Sequence, residues 1–518
     1  MVTLTKEELA NFSKEDLINI VMKKQEENLL LQEQICVSKN LQFGNKSEKM
    51  EDLLSLPTFD EIENTASATE KEPELETVVY KRHKQVGKSE ADLKDLPVTV
   101  VEHEMSEEEL VETFGANNWK RLPDYVYKKV VLHRAYHEVL EHHVAVYASK
   151  VEDKIVRAKH PAELLPHSIA TPSLVAGIMN AKYTNALPLY RIEQEYQRYD
   201  LHISRQTMAN WVISCTNLYL YSMYEYLHKN LLTRSVLQAD ETPVIVSKDR
   251  TTKTGKSFMW VYRSGSFDDK NPVVLYEYQK SRATEYPEAF LKGFSGSLVC
   301  DGYSAYHKLG KTHSEITVAN CYAHARRHFS KAVKAAGENP KMGKSLATEA
   351  LQRIGAIYAE EEKIKDLSCE ERLQVRQSAI QPLVVDFFAW IREHEHDVLS
   401  KSETGKGFTY CLNQEPYLKA FLSNGEIPID NSASERAIRP FTTGRRNWVM
   451  IDSKNGAQSS AVIYSLVETA KANNLKPYEY LEWLLTEIPE HQNDTSTDYL
   501  ENLLPWSDSV PEVCRKSQ

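Results

Sequence analysis

Two short apolar runs, each ending in an aspartate, constrain the fold of this chain more than any other feature of its sequence. The first, SVLQADE, delivers Asp240 to the end of a predicted strand, after which Thr242-Pro243 predicts a turn. The second, GSLVCD, places Asp301 at the end of another buried strand. If the first strand instead continues, we expect Glu241 to point to its opposite face.

The pattern after the first strand predicts two strands, a helix, the strand that ends at Asp301, another strand and a further helix. The predicted bounds are 257–263, 272–278, 284–292, 296–301, about 316–319 and 321–336. This is the order of elements in a ribonuclease H-like fold, where the first two acids lie on neighbouring strands and a third comes from a later helix. We therefore predict an α/β class with a ribonuclease H-like catalytic core.

The predicted helix start in DNSASERAIRP offers two candidates for the third acid, Asp430 and Glu435. Asp430 or Asn431 suits the N-cap and Glu435 would lie inside the helix, so the residues alone leave both acids open. Magnesium prefers hard oxygen ligands, and two Mg²⁺ ions about 3.5–4 Å apart can activate the attacking hydroxyl and stabilise the leaving oxygen of a phosphodiester. The hypothesis is that Asp240 bridges two Mg²⁺ (or Mn²⁺) ions, with Asp301 holding one and Glu435 the other.

Length and composition indicate a cytoplasmic protein of several domains. At 518 residues the chain is too long for one ordinary domain. Its seven cysteines are scattered without a Cys-x-x-Cys pair, which argues against a disulfide framework. The acidic start argues against a signal peptide. The sequence contains no run of about 18 apolar residues, so it predicts no membrane span. The net charge of −11 gives no global sign of nucleic-acid binding, so basic binding faces are expected to be local.

Periodicity and charge divide the chain into predicted segments. An interrupted apolar stripe near the start leaves a coiled coil and a solvated helix or helical hairpin equally open. The predicted helical insertion explains the long gap between Asp301 and Glu435. The segments are 1–50, helical; 51–97, an acidic-then-basic linker; 98–165, a small β-rich module; 166–230, helical; 231–455, the core, with its insertion at 338–412; 456–490, a C-terminal helical pair; and 491–518, a frayed tail.

Local basic stretches supply the candidates for DNA contact. Residues 316–337 and 436–451 contain no acid, and cations beside the carboxylates would follow a phosphate backbone. Ser204 is predicted to cap a helix, which is either a helix-turn-helix recognition element or part of a hairpin that supports the next domain. The candidates are Arg205, Gln206, Arg326, Arg327, Lys331, Arg436, Arg439, Arg445, Arg446 and Trp448, the last available to stack on a base.

The sequence argues against zinc. His133 and His137 would lie about 13 Å apart on one face of a strand, too far to share a metal. No cysteine lies between Cys36 and Cys215. Cys321-x-x-His324 is half a zinc site by spacing, and a buried cysteine beside a hydrogen-bonded histidine is the simpler interpretation.

Eight stretches, in this order along nearly the whole chain, resemble the insertion-sequence 66 family of bacterial DDE transposases. They are LQFGNKSEKM (41–50), KYTNALPLYRIEQ (182–194), ISRQTMANWV (203–212), QADETPV (238–244), CDGYSAY (300–306), CYAHARRHF (321–329), IDNSASERAIRPFTTGRRNW (429–448) and AVIYSLVETAKAN (461–473). The resemblance implies that Asp240, Asp301 and Glu435 form the catalytic triad, which favours Glu435 over Asp430. It also implies a magnesium-dependent cut at transposon ends, followed by attack of the 3′-hydroxyl on target DNA.

The resemblance has one departure and several further implications. The family usually carries a cysteine-rich zinc-binding module, but residues 98–160 contain no cysteine, so the module either folds without metal or has a reduced role. The implied partners are double-stranded DNA (transposon ends and target), further copies of the chain on that DNA within the nucleoid, and small accessory proteins of the same element. A ribonuclease H-like nuclease that cuts without joining, and an inactive DNA-binding relative, remain the alternatives.

Overall fold

The structure is a computed structural model that describes most of the chain. The described residues are 137–148, 155–158, 163–249, 257–268, 270–336, 345–492, 494 and 496–516, with single positions at 13, 14, 17, 24 and 108. The chain divides into two units, one formed by 1–65 and 158–516 and the other by 66–157 and 517–518. Most of the predicted 1–50 helical segment, the whole 51–97 linker and His133 lie outside the described residues.

Among its described residues, the second unit contains an antiparallel strand pair. β1 (Val146–Ala148) pairs with β2 (Ile155–Arg157), with Val146 opposite Arg157. This pair is the described part of the β-rich module predicted over 98–165.

Four α-helices precede the main sheet within the described residues 163–235, and two of them begin at side-chain caps. Thr171 Oγ1 accepts the Leu174 N–H at 3.2 Å, and Ser204 Oγ accepts the Thr207 N–H at 3.1 Å, as predicted for Ser204. The helices are α1 (Pro172–Met179), α2 (Leu189–Gln197), α3 (Arg205–Cys215) and α4 (Tyr221–Leu231). The predicted inward residues of α3 are all buried, namely Met208, Trp211 and Val212.

A five-stranded sheet follows and defines a mixed α/β architecture. Its elements are β3 (Val236–Val244), β4 (Ser257–Ser264), β5 (Val274–Gln279), α5 (Glu285–Phe290), β6 (Gly296–Cys300), α6 (Ser304–Thr312) and β7 (Ile316–Asn320). The strand order is β5-β4-β3-β6-β7; β4 is antiparallel to β3 and β5, and β6 is parallel to β3 and β7. The five predicted strands are confirmed, whereas α6 has no counterpart in the predicted order.

The turn predicted at Thr242-Pro243 is wrong, because β3 runs through it to Val244. β4 pairs with β3 along this stretch, up to Val244 opposite Ser257. The parallel pairing with β6 ends earlier, at Gln238. A proline is tolerated where a strand has an open side, since its missing N–H then breaks no ladder bond.

A helical segment follows β7 and packs on one side of the sheet. Its helices are α7 (Tyr322–Ala336), α8 (Leu346–Lys363), α9 (Cys369–Val375), α10 (Gln381–His394) and α11 (Glu403–Leu418). Phe329, Ile354, Phe387 and Phe408 are buried together in its core. The predicted insertion at 338–412 corresponds to α8–α11, and it ends at Leu418 rather than 412.

The C-terminal helices are α12 (Ser432–Trp448), α13 (Lys454–Ala472), α14 (Pro477–Glu490) and α15 (Tyr499–Asn502). α13 closes the outer edge of the sheet, since Ser465 and Thr469 hydroxyls accept the N–H groups of Tyr276 and Val274 at 2.7 and 3.0 Å. α13 and α14 lie where the C-terminal helical pair over 456–490 is predicted.

The prediction of a frayed tail over 491–518 is wrong for the described residues 496–516. Leu500, Leu503 and Leu504 are buried, and the Lys476 N–H donates to the Cys514 carbonyl at 2.7 Å. These three leucines form too short a pattern for the sequence to predict that the segment packs against the fold. Among the described helices, none combines the length and apolar character needed to cross a bilayer.

Candidate active site at the ends of β3 and β6

The pairing of β3 with β6 sets the two predicted aspartates side by side. Their parallel register matches Gln238 with Val299, and Asp240 and Asp301 each lie two residues further along. Because adjacent strands are about 4.8 Å apart, the two backbones are neighbours at this end of the sheet. β6 ends at Cys300, so Asp301 begins the following loop.

The start of α12 is fixed against the same region by the buried Asn431. Its Nδ2 donates to the Ala239 carbonyl at 2.7 Å, and its Oδ1 accepts from Gln238 Nε2 at 3.2 Å. Side chains two residues apart on a strand share a face, so Asp240 lies on the face where Gln238 meets α12. The helix start that carries Glu435 is therefore on the Asp240 side of the sheet.

Glu435 lies in the first turn of α12, where two basic side chains of α7 approach it. Arg327 Nη2 donates to Glu435 Oε1 at 3.2 Å, and His324 Nε2 is 3.7 Å from the same oxygen. The charge of Glu435 also contributes to raising the pKa of Asp240. The two carboxylates therefore interact across the gap between strand and helix.

Asp430, the alternative third acid, has different partners. Its Oδ2 accepts the Tyr358 hydroxyl at 3.1 Å, and its Oδ1 accepts the Ser432 N–H at 3.0 Å. It thus caps the first backbone amide of α12 and joins it to α8, whereas Glu435 interacts with Asp240.

Asp301 is held by a backbone amide and faced by a guanidinium. Its Oδ1 accepts the Tyr303 N–H at 2.9 Å, and its Oδ2 is 3.6 Å from Arg282 Nη2. The guanidinium carbon of Arg282 lies 3.6 Å from the centroid of the Tyr303 ring. Glu241, with 1% of its side chain exposed, forms an ion pair with Arg282 and accepts the Tyr306 hydroxyl at 2.7 Å. Glu241 therefore positions the cation that faces Asp301.

Asp240 is crowded by negative charge. Burial, followed by the charge of Glu241, raises its pKa well above the ordinary range, and Glu435 and Asp301 add to the rise. The Glu241 N–H donates to Asp240 Oδ1 at 2.8 Å and opposes this shift. Burial and then Asp301 also raise the pKa of Glu241, against the effect of Arg282. A cation placed among these acids would relieve their repulsion.

The donor chemistry fits a hard divalent cation, although the protein side chains do not form a closed cage. Across the part of the chain that is described, no three His, Cys, Asp or Glu side chains lie close enough together to hold a metal ion. Magnesium is usually bound through one or two carboxylates together with water and substrate phosphate, so a complete protein cage is not required. The carboxylate oxygens crowded around Asp240 are compatible with that mode of binding.

Cys321 and His324 do not form half of a zinc site. Cys321 is fully buried, and its sulfur accepts the Asn431 N–H at 3.1 Å. Burial, followed by the charge of Arg327, lowers the pKa of His324, and its Nδ1 is buried without a hydrogen-bond partner. The buried cysteine agrees with the prediction, whereas a hydrogen-bonded His324 does not: Nδ1 has no partner, and Nε2 is 3.7 Å from Glu435 Oε1.

The predicted DNA-contacting residues of α3 and α7 lie in different surroundings. Arg205 is exposed, 5.7 Å from the centroid of the Tyr190 ring, and Gln206 Nε2 donates to Asn210 at 3.1 Å. On α7, Arg327 contacts Glu435, Lys331 is exposed and Arg326 is half-buried. Arg327 is therefore the α7 cation that reaches the acids.

Some of the predicted DNA-contacting residues of α12 pack against the fold, and others are exposed. Arg445 Nη1 donates to Thr242 Oγ1 at 2.9 Å and also to the Pro243 carbonyl, so it ties the helix to β3. Trp448 is half-buried, with its ring centroid 5.5 Å from that of Phe441. Of the others, Arg436 and Arg446 are exposed and Arg439 is half-buried.

Four residues of the site had no place among the predicted site residues: Glu241, Arg282, His324 and Asn431. Glu241 follows Asp240 directly in the sequence, but its partners come from distant segments. Arg282 lies in the loop after β5, and no local pattern marks its pairing with Glu241. Asn431 occupies the N-cap position, as one of the two predicted alternatives, but its side chain bonds β3 rather than an amide of the helix.

The chain is similar in sequence to two protein-family models and to several known proteins. A model described as the Transposase IS66 family matches residues 167–459, and one described as the IS66 C-terminal element matches residues 465–506. Uncharacterized protein y4qI of Sinorhizobium fredii (strain NBRC 101917 / NGR234) is 30% identical over 373 residues, covering 70% of this chain and 67% of that protein. Uncharacterized protein y4jD of the same strain is 30% identical, covering 70% and 71%. The solved Drosophila P element transposase strand transfer complex has 10% identity and a TM-score of 0.36, covering 59% of this chain and 94% of that one.

Proposed function

Because this chain belongs to the IS66 family of transposases, we propose that it cuts DNA at the ends of an insertion sequence and joins the freed 3′-hydroxyl to target DNA. The proposed reaction centre is Asp240, Asp301 and Glu435. The observation that carries the proposal is the β3–β6 register, which sets Asp240 beside Asp301 on the side where α12 begins.

The order of elements supports a ribonuclease H-like core. Three antiparallel strands are followed by a helix, a parallel strand and another parallel strand, in the sheet order β5-β4-β3-β6-β7. That is the arrangement expected of this fold, with acids at the ends of neighbouring strands and a third acid on a later helix. The helices α8–α11 would then be an insertion between the last strand and the Glu435 helix.

Two Mg²⁺ (or Mn²⁺) ions are the proposed cofactors. Asp240, Asp301 and Glu435 would be the residues that hold them. When bound, they would supply an activated water or 3′-hydroxyl and neutralise charge on the leaving oxygen. Zinc is not proposed, since the Cys321 sulfur is buried and accepts a backbone N–H.

The surrounding cations have two roles in this proposal. Arg282, held by Glu241, orients Asp301, and Arg327 with His324 orients Glu435. The same guanidinium groups offset the repulsion that an anionic cleft would exert on a DNA phosphate.

The proposed partner is double-stranded DNA, at both the transposon ends and the target. Exposed Lys331, Arg436 and Arg446 would contact phosphates near the reaction centre, and Arg205 with Gln206 would contact DNA from α3. Since two ends must be joined, we propose that several copies of the chain assemble on DNA. Accessory proteins of the same element and a location at the nucleoid belong to the same proposal.

The test uses the full chain and a labelled duplex copied from the DNA that flanks its coding sequence. With Mg²⁺, the expected result is a nick at the element end and transfer of the new 3′-end into an unlabelled plasmid. Nicking without transfer would favour a ribonuclease H-like nuclease. Specific binding without nicking would favour an inactive DNA-binding relative, and either outcome would contradict the proposal.

A further inference from the structure

The end of α12 carries an exposed apolar turn on a strained backbone. Val449 has φ 63° and ψ −52°, and the Met450 N–H donates to the Trp448 carbonyl at 2.7 Å. These values describe a γ-turn with positive φ, which is a rare and strained turn. For a β-branched residue such a backbone is an outlier, and such strain persists only where the surroundings impose it.

Backbone hydrogen bonds hold the turn from both sides. The Val449 N–H donates to the Arg445 carbonyl at 2.8 Å, and the Ile451 N–H donates to the Ile245 carbonyl at 2.9 Å. Val246 and Ile451 then form a parallel bridge between the extension of β3 and the segment after α12. The turn is therefore fixed to the strand that carries Asp240.

The side chains that this turn presents are apolar and exposed. Val449 is 58% exposed and Met450 51%, and Ile245, on the adjoining strand extension, is 48% exposed. Trp448, in contrast, packs against Phe441. The exposed apolar surface at this end of α12 is thus formed by the turn and Ile245.

The surrounding charge favours a nucleic-acid partner for this surface. No acid lies between Arg436 and Ile451, and Arg446, one turn before Met450, is exposed. The nearest acid in sequence, Asp452, is paired with Lys248 at 2.5 Å. Cations position a protein on the phosphates of a duplex, and apolar side chains of this kind enter between base steps and unstack them.

The turn is also at a defined distance from the proposed reaction centre. Five residues of extended chain separate Asp240 from Ile245, about 17 Å, and fifteen residues of helix and turn separate Glu435 from Met450, about 22 Å. At about 3.4 Å per base pair, the two paths correspond to about five to seven base pairs.

We propose that Val449 and Met450 form an apolar wedge that enters the base stack of the element end about five base pairs from the scissile phosphate. This deepens the proposed function and rests on it. The wedge unstacks the duplex near the cut, and the γ-turn holds it rigid so that little order is lost when it inserts.

The experiment maps unstacked thymines with permanganate on the full chain bound to an element-end duplex, with Ca²⁺ in place of Mg²⁺ to prevent cutting. The wild type is expected to expose thymines about five base pairs from the cut. Val449→Gly and Met450→Ser should remove this reactivity while binding the duplex. Val449→Gly should melt at the same or a higher temperature than wild type, because glycine adopts positive φ without strain. Val385→Ser, which changes an exposed valine on α10, is the matched control and should behave as wild type.

Cutting in Mg²⁺ provides the second readout. Both wedge variants should cut the matched duplex about tenfold more slowly, and a two-base mismatch at the wedge position should restore their rate because unstacking is then already done. Unchanged permanganate reactivity in both variants, or no rescue by the mismatch, would overturn the proposal. Asp240→Asn should give the wild-type permanganate pattern without cutting. If Asp240→Asn cuts, the carboxylate assignment fails while the wedge result stands by itself.

Discussion

Two clusters of charged side chains in the same unit differ in how completely their charge is balanced. In the helical segment, the buried Arg376 donates to both oxygens of Glu361, at 2.8 and 2.7 Å, and to two backbone carbonyls. Arg372 likewise donates to four carbonyls. At the ends of β3 and β6, Asp240 instead has acids as its main electrostatic neighbours.

The difference separates charge that stabilises the fold from charge that is available for chemistry. A buried pair with all its hydrogen bonds made keeps its partners in one arrangement. Acids crowded together with shifted pKa values are unfavourable for the fold alone and are typical of functional sites.

The largest effect is expected from replacing the acids of the site. Asp240→Asn, Asp301→Asn and Glu435→Gln should each lower the nicking rate by at least about 1,000-fold, since each removes a ligand from the proposed metal centre. Thermal unfolding should show that the variants fold like wild type. Asp430→Asn is the matched control and should retain nicking, and equal loss in that variant would contradict the choice of Glu435.

Breaking the balanced cluster should affect stability instead. Glu361→Gln leaves Arg376 buried without its counter-charge and should lower the free energy of unfolding by about 3–5 kcal/mol. The double variant Glu361→Leu/Arg376→Met should lose less free energy of unfolding than Glu361→Gln, because it leaves no unpaired charge. Urea unfolding measures both, and nicking per folded molecule should stay at the wild-type level. If Glu361→Gln lost nicking activity without losing stability, the charge of this cluster would not be purely structural, which would contradict the comparison.

Glu277 tests whether an unbalanced buried acid is sufficient to make a site. Burial raises its pKa from 4.5 to about 7, against a hydrogen bond from Gln279. The folded protein therefore binds more protons than the unfolded chain between these values, and stability falls as the pH rises through them. The difference in free energy of unfolding between Glu277→Gln and wild type should therefore depend on pH. At pH 8 it should favour the variant by on the order of 2 kcal/mol more than at pH 4.5. Urea unfolding at the two pH values measures this difference, and the nicking rate should be unchanged. An equal difference at both pH values would contradict the raised pKa of Glu277.

The smallest effect concerns exposed cations. Arg446→Gln should reduce the slope of log affinity against log salt by about 1, because one phosphate contact is lost. Lys365→Gln changes an exposed lysine that pairs with Glu362 in the helical segment and should leave the slope unchanged. Filter binding of the element-end duplex between low and high salt measures both slopes. Equal slopes for the two variants would place the DNA away from α12.

The fold was predictable where one local pattern specified it. Apolar runs ending in Asp240 and Asp301 predicted two strands correctly, and the Ser204 cap predicted the start of α3. The turn at Thr242-Pro243 was predicted from local chemistry, but pairing with β4 overrides it. α6 was missed because Gly310 is a poor helix former and weakens the local pattern. Close packing favours glycine there, since a Cβ would lie 2.6 Å from Val318 Cγ2.

The site was less predictable because its supporting contacts join distant segments. Glu241 and Arg282 are 41 residues apart, and Asn431 reaches β3 across 192 residues. Residue patterns identify an acid at a strand end, but they do not reveal which cation faces it. The same limit applies to Val449, whose strained backbone depends on the bridge between Val246 and Ile451.

The central claim is that Asp240, Asp301 and Glu435 act together on divalent metal. The test is a titration of Mn²⁺ into the full chain bound to an element-end duplex. The loss of the free-ion electron paramagnetic resonance signal measures how much Mn²⁺ is bound. The predicted result is that each of Asp240→Asn, Asp301→Asn and Glu435→Gln weakens Mn²⁺ binding, while Asp430→Asn binds like wild type. Wild-type binding in any of the three site variants would contradict the claim.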